Sequence, residues 1–166
     1  LKLYGIKNVR FTSVDTFSVP LTRAEAPPRL SLPIWRPVVD QSLIVDKKTF
    51  LKHAMSPDSQ PGRAVIVDVR PVQDYLGKGK SLISKRAPDI GAINIPWTEF
   101  IDSKGEASAD IKEKLLAIQV HPDKQIYVID EMGVRSATVT LILRQLGYLK
   151  VSNFAGGYAE LLANRK

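Results

Sequence analysis

The chain has 166 residues, 44% of them hydrophobic, and a formal net charge of +7, which suits one globular domain with a sizeable core and a basic surface. It contains no cysteine, which excludes disulfides, thiolate metal sites and a cysteine nucleophile. No apolar run approaches the ~20 residues that a membrane helix needs, so no membrane span is expected.

The first 42 residues divide into two segments. Residues 1–11, LKLYGIKNVRF, echo residues 143–153, LRQLGYLKVSN, because both give a leucine-bearing helix end, a glycine and then a strand valine. The echo is either chance or a sign that residues 1–17 close a preceding, similar domain. Residues 18–42 hold five prolines, each of which blocks helix continuation, so this stretch predicts an extended linker.

From residue 43 onward, short apolar runs alternate with helical patterns. The apolar runs predict strands at 43–45, 64–67, 91–95, 126–129 and 151–154. The helical patterns begin after an N-cap at Asp46, at 72–76, at 109–118, near Arg135 and after Gly157. This alternation predicts an α/β fold in which a parallel sheet is covered by helices on both faces.

Two predicted helices have well-defined apolar positions. Ile111, Leu115 and Ile118 fall on one face of the helix at 109–118. The helix that begins near Arg135 has apolar residues at i, i+3, i+4 and i+7, and Gly147 stands where a left-handed C-terminal cap belongs.

The ionisable residues favour neither a nucleic-acid surface nor a metal site. The densest basic group lies at 78–86, in a Gly/Ser-containing stretch that predicts a surface loop. Nucleic-acid binding would require clustered basic residues with aromatics between them, so we expect a solvated basic surface that attracts small anions. His53 and His121 are far apart and lack a second ligand at helical spacing, so neither a metal nor another cofactor is expected.

The loop between the strand at 126–129 and the following helix is the candidate site. Its residues are Asp130, Glu131, Met132, Gly133, Val134 and Arg135, and Ser136 follows them. Ligands of open α/β sheets bind at such strand-to-helix loops, where backbone amides and the helix N-terminus favour negative charge. Gly133 lets the chain curve and Arg135 can add a fixed charge, so the loop predicts a hollow for an anion.

Four segments resemble, in order, those of the rhodanese family of sulfurtransferases. They span residues 43–164 and read AVIVDVRPVQDYLGK, GAINIPWTEF, QIYVIDEMGVRSATVTLILRQLGY and VSNFAGGYAEL. The insertion GKGKSLISKRAPDIGAINIPW resembles the second domain of tandem rhodaneses. The resemblance implies a rhodanese-like domain at 43–166, the proline-rich linker at 18–42 and, at 1–17, the remnant of a preceding rhodanese-like domain.

The resemblance also implies a role for the loop. Active family members carry a cysteine at its first position, and the thiolate takes a sulfur atom from a donor such as thiosulfate to become a persulfide. The spacing from Gly133, Arg135 and Ser136 places Asp130 at that position. Since a carboxylate oxygen cannot form a persulfide, we expect a rhodanese-like domain that is inactive in this form, with its hollow filled by Asp130.

Several alternatives remain open at this point. The chain is alternatively a thiosulfate or persulfide sulfurtransferase whose cysteine was mutated or lies on a missing part of the protein. Catalysis by Asp130 through an acyl phosphate would need a metal, and Glu131 is the only adjacent acid. The expected partners are a preceding rhodanese domain or another copy of the chain. The chain opens on Leu1 rather than Met, which leaves open a removed targeting segment and whether this soluble protein is cytoplasmic or exported.

Overall fold

A four-stranded parallel sheet organises the fold. The computed structural model describes residues 38–57 and 60–163, so the predicted domain remnant at 1–17 and most of the linker at 18–42 lie outside it. Within these ranges the strands are Val65–Asp68 (β1), Ile93–Asn94 (β2), Ile126–Ile129 (β3) and Val151–Asn153 (β4). Their spatial order is β2-β1-β3-β4, and each neighbouring pair is parallel.

Helices connect these strands and cover both faces of the sheet. Within the described ranges they are Lys47–Ala54 (α1), Val72–Tyr75 (α2), Leu82–Arg86 (α3), Ile111–Ala117 (α4), Val134–Gln145 (α5) and Gly157–Ala163 (α6). None of these helices has the length and apolar content that crossing a bilayer requires. The α/β architecture predicted from the alternating pattern is thereby confirmed.

The strands divide their side chains between two cores. Val67 and Val128 face a core that α4 and α5 cover, whereas Ile66 and Ile129 face a second core that α1 and α6 cover. Successive strand residues point to opposite faces, so a run that is apolar throughout supplies both cores at once. Burial on both faces explains why β1 and β3 are continuous apolar runs.

The predicted strand at 43–45 is wrong. The chain forms a short 3-10 helix over Gln41–Leu43 instead, and Ile44 makes only an isolated parallel bridge to Asn153. The Asp40 carboxylate accepts hydrogen bonds from the Ser42 backbone N–H at 3.0 Å and the Ser42 hydroxyl at 2.6 Å. This local capping competes with strand pairing for the backbone at the start of the domain.

Two further predictions need correction. The basic stretch predicted as a surface loop contains helix α3, whose first turn is capped where the Ser84 N–H donates to the Ser81 hydroxyl at 3.0 Å.

The helix predicted at 109–118 ends at Ala117, and Ile118 is 43% exposed rather than part of the apolar face. Gln119 takes a left-handed φ of 64°, which turns the chain away after α4.

A tyrosine in the core after α5 provides a stability test. The Tyr148 side chain is fully buried, and its hydroxyl donates a hydrogen bond to the Val120 carbonyl at 3.1 Å. Tyr148→Phe should lower the free energy of unfolding by about 1–2 kcal/mol because the buried carbonyl loses its donor. Urea denaturation measures this change. The matched control is Tyr127→Phe, which should be nearly neutral because the Tyr127 hydroxyl has no hydrogen bond among the described residues.

Candidate functional site

The predicted loop lies at the carboxyl edge of the sheet, between two central elements. Strand β3 ends at Ile129, and α5 begins at Val134, one residue before the predicted start. Asp130 follows the buried strand directly and is itself only 2% exposed. A charged side chain that is buried this deeply needs hydrogen-bond partners, and the loop supplies them.

The Asp130 carboxylate fills the hollow that the loop forms. Its Oδ1 accepts hydrogen bonds from the backbone N–H of Met132, at 3.1 Å, and of Gly133. Its Oδ2 accepts from the Arg135 N–H at 2.9 Å, and the Ser136 hydroxyl donates to Oδ1 at 3.2 Å. We call these donors, three backbone N–H groups and one hydroxyl, the cradle. The cradle holds an anion that belongs to the chain itself.

Gly133 is the residue that allows the loop to close. It adopts a left-handed φ of 84°, which side chains disfavour. A Cβ added at this position would overlap the Ala155 carbonyl group and lie 2.7 Å from the Ala155 Cα atom. The Gly133 carbonyl also accepts a hydrogen bond from Asn153 Nδ2 at 3.1 Å, so β4 fixes the loop from the side.

The first turn of α6 holds the same loop from the other side. The Tyr158 N–H donates to the Asp130 carbonyl at 2.9 Å, and the Ala159 N–H donates to the Glu131 carbonyl at 3.0 Å. A Cβ on Gly157 would lie 2.5 Å from the Asp130 carbonyl oxygen, so only glycine allows this approach. The sequence alone does not indicate this contact, because it joins segments far apart in the chain.

The remaining predicted site residues lie on the rim of the loop. The Met132 and Val134 side chains are 67% and 72% exposed. The Arg135 side chain is also exposed, and among the described residues its guanidinium makes no hydrogen bond or ion pair. Glu131 is half-buried. The structure therefore brings together Asp130, the loop amides and Ser136, while the Met132, Val134 and Arg135 side chains are exposed.

Comparison with known proteins identifies the fold and its lineage. Residues 48–164 match the family model described as the rhodanese-like domain. The chain belongs to the rhodanese family.

Two curated relatives are thiosulfate sulfurtransferases. The one from Azotobacter vinelandii is 34% identical over 97 residues, which cover 57% of this chain and 35% of the relative. The one from Pseudomonas aeruginosa is 34% identical over 95 residues, covering 56% of this chain and 35% of the relative. The chain thus matches about a third of the length of each of these relatives.

Solved structures agree with the rhodanese fold. The 3-mercaptopyruvate sulfotransferase SseA from Escherichia coli superposes with a TM-score of 0.58 at 25% identity, covering 74% of this chain and 45% of that one. An EanB variant in complex with ergothioneine, solved with a persulfide cysteine, superposes with a TM-score of 0.69 at 19% identity. That match covers 83% of this chain and 34% of the EanB chain.

A buried ion pair of the rhodanese domain lies next to Tyr158, whose backbone N–H binds the Asp130 carbonyl. The Arg70 side chain donates to the Asp68 carboxylate through Nε, at 3.0 Å, and through Nη2, at 2.7 Å, and neither residue is more than 2% exposed. The Arg70 guanidinium also stacks 3.9 Å from the centre of the Tyr158 ring. Burial raises the pKa of Tyr158 strongly, and the nearby Asp68 charge adds to this effect, so its hydroxyl stays protonated.

Metal ligands are not grouped in the described part of this rhodanese domain. Residues 38–57 and 60–163 contain no cluster of three or more His, Cys, Asp or Glu side chains placed to hold a metal ion. The acid next to Asp130 in the sequence, Glu131, therefore has no such group around it.

Proposed function

We propose that this chain is a rhodanese-like module that transfers no sulfur in this form and serves stability, interdomain contact or partner recognition in a sulfur-handling protein. The observation that carries the proposal is the carboxylate of Asp130, which accepts the hydrogen bonds of the cradle donors. The expected partner is a preceding rhodanese domain or another copy of the chain.

The first argument concerns the nucleophile. Sulfur transfer through a persulfide requires a thiolate, and the chain contains no cysteine. Neither carboxylate oxygen of Asp130 can bond sulfane sulfur, and the exposed Met132 thioether is a neutral, weak nucleophile. The kinship with thiosulfate sulfurtransferases supports descent from a catalyst, and the missing thiol supports loss of its chemistry.

The second argument concerns the binding of an external anion. The loop donors that would receive such an anion already bind Asp130. A second negative charge about 4 Å from the carboxylate would be repelled by roughly 1–4 kcal/mol, depending on the local dielectric. Occupied donors and charge repulsion together should keep thiosulfate out of the cradle.

Removal of the Asp130 carboxylate should open the cradle to small anions. In Asp130→Ala, thiosulfate or sulfate should bind saturably and shift the NMR signals of the loop amides. The wild-type chain should bind these anions at least about tenfold more weakly, a difference of ~1.4 kcal/mol. The titration of each chain with sodium thiosulfate, with sodium chloride added to constant ionic strength, measures this difference.

The matched control is Asp123→Ala, which removes the same charge from an exposed side chain outside the loop. This variant should behave like the wild-type chain. Equal thiosulfate binding by the wild type and Asp130→Ala at the loop amides would contradict an occupied cradle. A folded Asp130→Ala chain that binds no anion would show that the loop amides do not form a receptive site.

A further inference from the structure

A histidine joins the end of helix α1 to the beginning of strand β1. The Ala64 backbone N–H donates a hydrogen bond to His53 Nδ1 at 3.0 Å. The Arg63 Nε atom donates to the His53 carbonyl, also at 3.0 Å. Ala64 is buried and His53 is half-buried. The Ala64 N–H therefore depends for its hydrogen bond on a side chain that titrates near neutral pH.

This hydrogen bond requires a neutral imidazole. Nδ1 accepts through its lone pair, whereas a protonated imidazole carries a hydrogen on both ring nitrogens. The protonated Nδ1 and the Ala64 N–H would then be two donors facing each other across 3.0 Å. The C-terminal end of α1 attracts a cation, but this attraction is weaker than the cost of leaving a buried N–H without its partner. Protonation of His53 should therefore break the hydrogen bond.

The groups around His53 also oppose a positive charge on its ring. Burial lowers the pKa of His53, and the positive charges of Lys52 and Arg63 lower it further. The ring packs edge-to-face against Tyr127, with 5.3 Å between the ring centres. Burial and the charge of Asp46 raise the pKa of Tyr127, so its hydroxyl stays neutral and offers no negative charge. Asp46 itself is the N-cap of α1 and lies at the other end of that helix.

The middle of α1 and the start of β1 are each held by contacts that do not involve the imidazole. Phe50 is fully buried and stacks on Phe154, with 4.4 Å between the ring centres. The N–H of Val65, the first residue of β1, donates to the Gln125 carbonyl at 2.8 Å, and this acceptor does not titrate. Loss of the histidine contact should therefore open only the junction between helix and strand.

We propose that the hydrogen bond between Ala64 and His53 is a pH-sensitive latch, which is closed at neutral pH and opens in mildly acidic solution. Above the ordinary histidine pKa of ~6.5, the imidazole is neutral in the closed and open states, and the latch is stable. Below that value the open state, whose imidazole is in water, takes up a proton first. The closed state therefore loses stability as the pH falls, until the pH has passed the lower pKa of the latched ring. The latch depends neither on Asp130 nor on the proposed loss of sulfur transfer.

Two NMR measurements on the wild-type chain test the latch. The His53 ring signals should titrate below the ordinary histidine value of ~6.5. In hydrogen exchange, the protection factor of the Ala64 amide, corrected for intrinsic exchange, should fall at least about threefold between about pH 7 and about pH 5. The Val65 amide should keep its protection factor within about twofold, because its acceptor is a backbone carbonyl.

Two histidine variants separate the latch from a general effect of acid. His53→Asn keeps an acceptor oxygen near the position of Nδ1 but does not titrate, so its Ala64 amide should stay equally protected from about pH 7 to about pH 5. The matched control is His121→Asn, which removes the only other histidine of the chain. The His121 ring contacts Gln119 and takes no part in the latch. In this variant the Ala64 amide should lose protection as it does in the wild type.

Four outcomes would overturn the proposal. A His53 ring that titrates at or above the ordinary value would show that the closed state does not prefer the neutral form. Constant protection of the Ala64 amide would show that protonation does not open the latch, and an equal loss at Val65 would show that acid unfolds the domain instead. Persistence of the loss in a folded His53→Asn chain would assign the pH dependence to another group. The wild-type measurements decide the question even if that variant does not fold.

Discussion

Asp130→Cys should form a persulfide and produce thiocyanate from thiosulfate and cyanide, whereas we expect the wild-type chain to do neither. The backbone donors that hold the carboxylate do not depend on the side chain at position 130. They would be free to stabilise a thiolate and then a persulfide anion, since both carry negative charge where the carboxylate now lies.

The expected chemistry balances without a cofactor. The introduced thiolate attacks the outer sulfur of thiosulfate, a new S–S bond forms, and sulfite leaves with the electron pair of the bond that breaks. Cyanide then attacks the terminal sulfur, thiocyanate leaves, and the thiolate is regenerated. Mass spectrometry should detect one added sulfur atom after thiosulfate treatment, and ferric iron should detect thiocyanate during turnover.

The matched control is Asp123→Cys, which introduces a thiol at an exposed position and removes the same charge. It should form no stable persulfide with thiosulfate, since the cradle donors surround position 130. Turnover by the wild-type chain would refute the non-catalytic proposal outright. An Asp130→Cys chain that folds but gains no sulfur would show that the cradle does not support persulfide formation. That result would leave the proposal that the wild-type chain transfers no sulfur unchanged.

Gly133→Ala should destabilise the domain by at least about 3 kcal/mol. The alanine would combine a disfavoured left-handed φ of 84° with overlap on the Ala155 backbone, and backbone atoms cannot move aside as a flexible side chain can. To relieve the overlap, the loop would separate from β4 and lose the cradle geometry. Chemical denaturation followed by tryptophan fluorescence measures the loss.

The matched control for this prediction is Gly105→Ala. Gly105 has a similar φ of 80°, but an added Cβ would meet nothing within 4 Å. Its substitution should therefore cost only the backbone preference, about 1–2 kcal/mol. The difference between the two variants isolates the close approach of the loop to Ala155. Equal losses in the two variants would show that the conformation alone, and not packing, requires glycine at position 133.

Much of the fold could be predicted because local pattern and burial coincide. Strand β3 spans Ile126–Ile129 as predicted, since a run that is apolar throughout fits only a strand buried on both faces. Gly147 does adopt the left-handed φ, 95°, expected of a helix C-cap. The order of strands and helices follows from such signals and from the few connections that parallel sheets permit.

Other features depend on contacts between segments distant in the sequence, which local patterns cannot encode. A loop does follow β3, but it is shorter than the predicted six residues because α5 begins at Val134, and nothing in the predicted stretch indicates that Gly157 approaches the Asp130 carbonyl. The sequence also does not indicate that Arg70 Nη1 lacks a hydrogen-bond partner. It places Asp68 and Arg70 two residues apart but does not show which nitrogen atoms of Arg70 bind the carboxylate. Helix α3 was missed because its glycine- and serine-containing surroundings predicted a loop.

The hydrogen bonds from Tyr158 and Ala159 to the carbonyls of Asp130 and Glu131 have a consequence for folding order. The last helix described, α6, supplies these donors to the loop that follows β3. During synthesis, the loop can therefore reach its final structure only after residues 157–159 have left the ribosome. Loop and terminal helix should then open and close together as one cooperative unit. In native-state hydrogen exchange, the amides of Tyr158 and Gly133 should share one opening free energy.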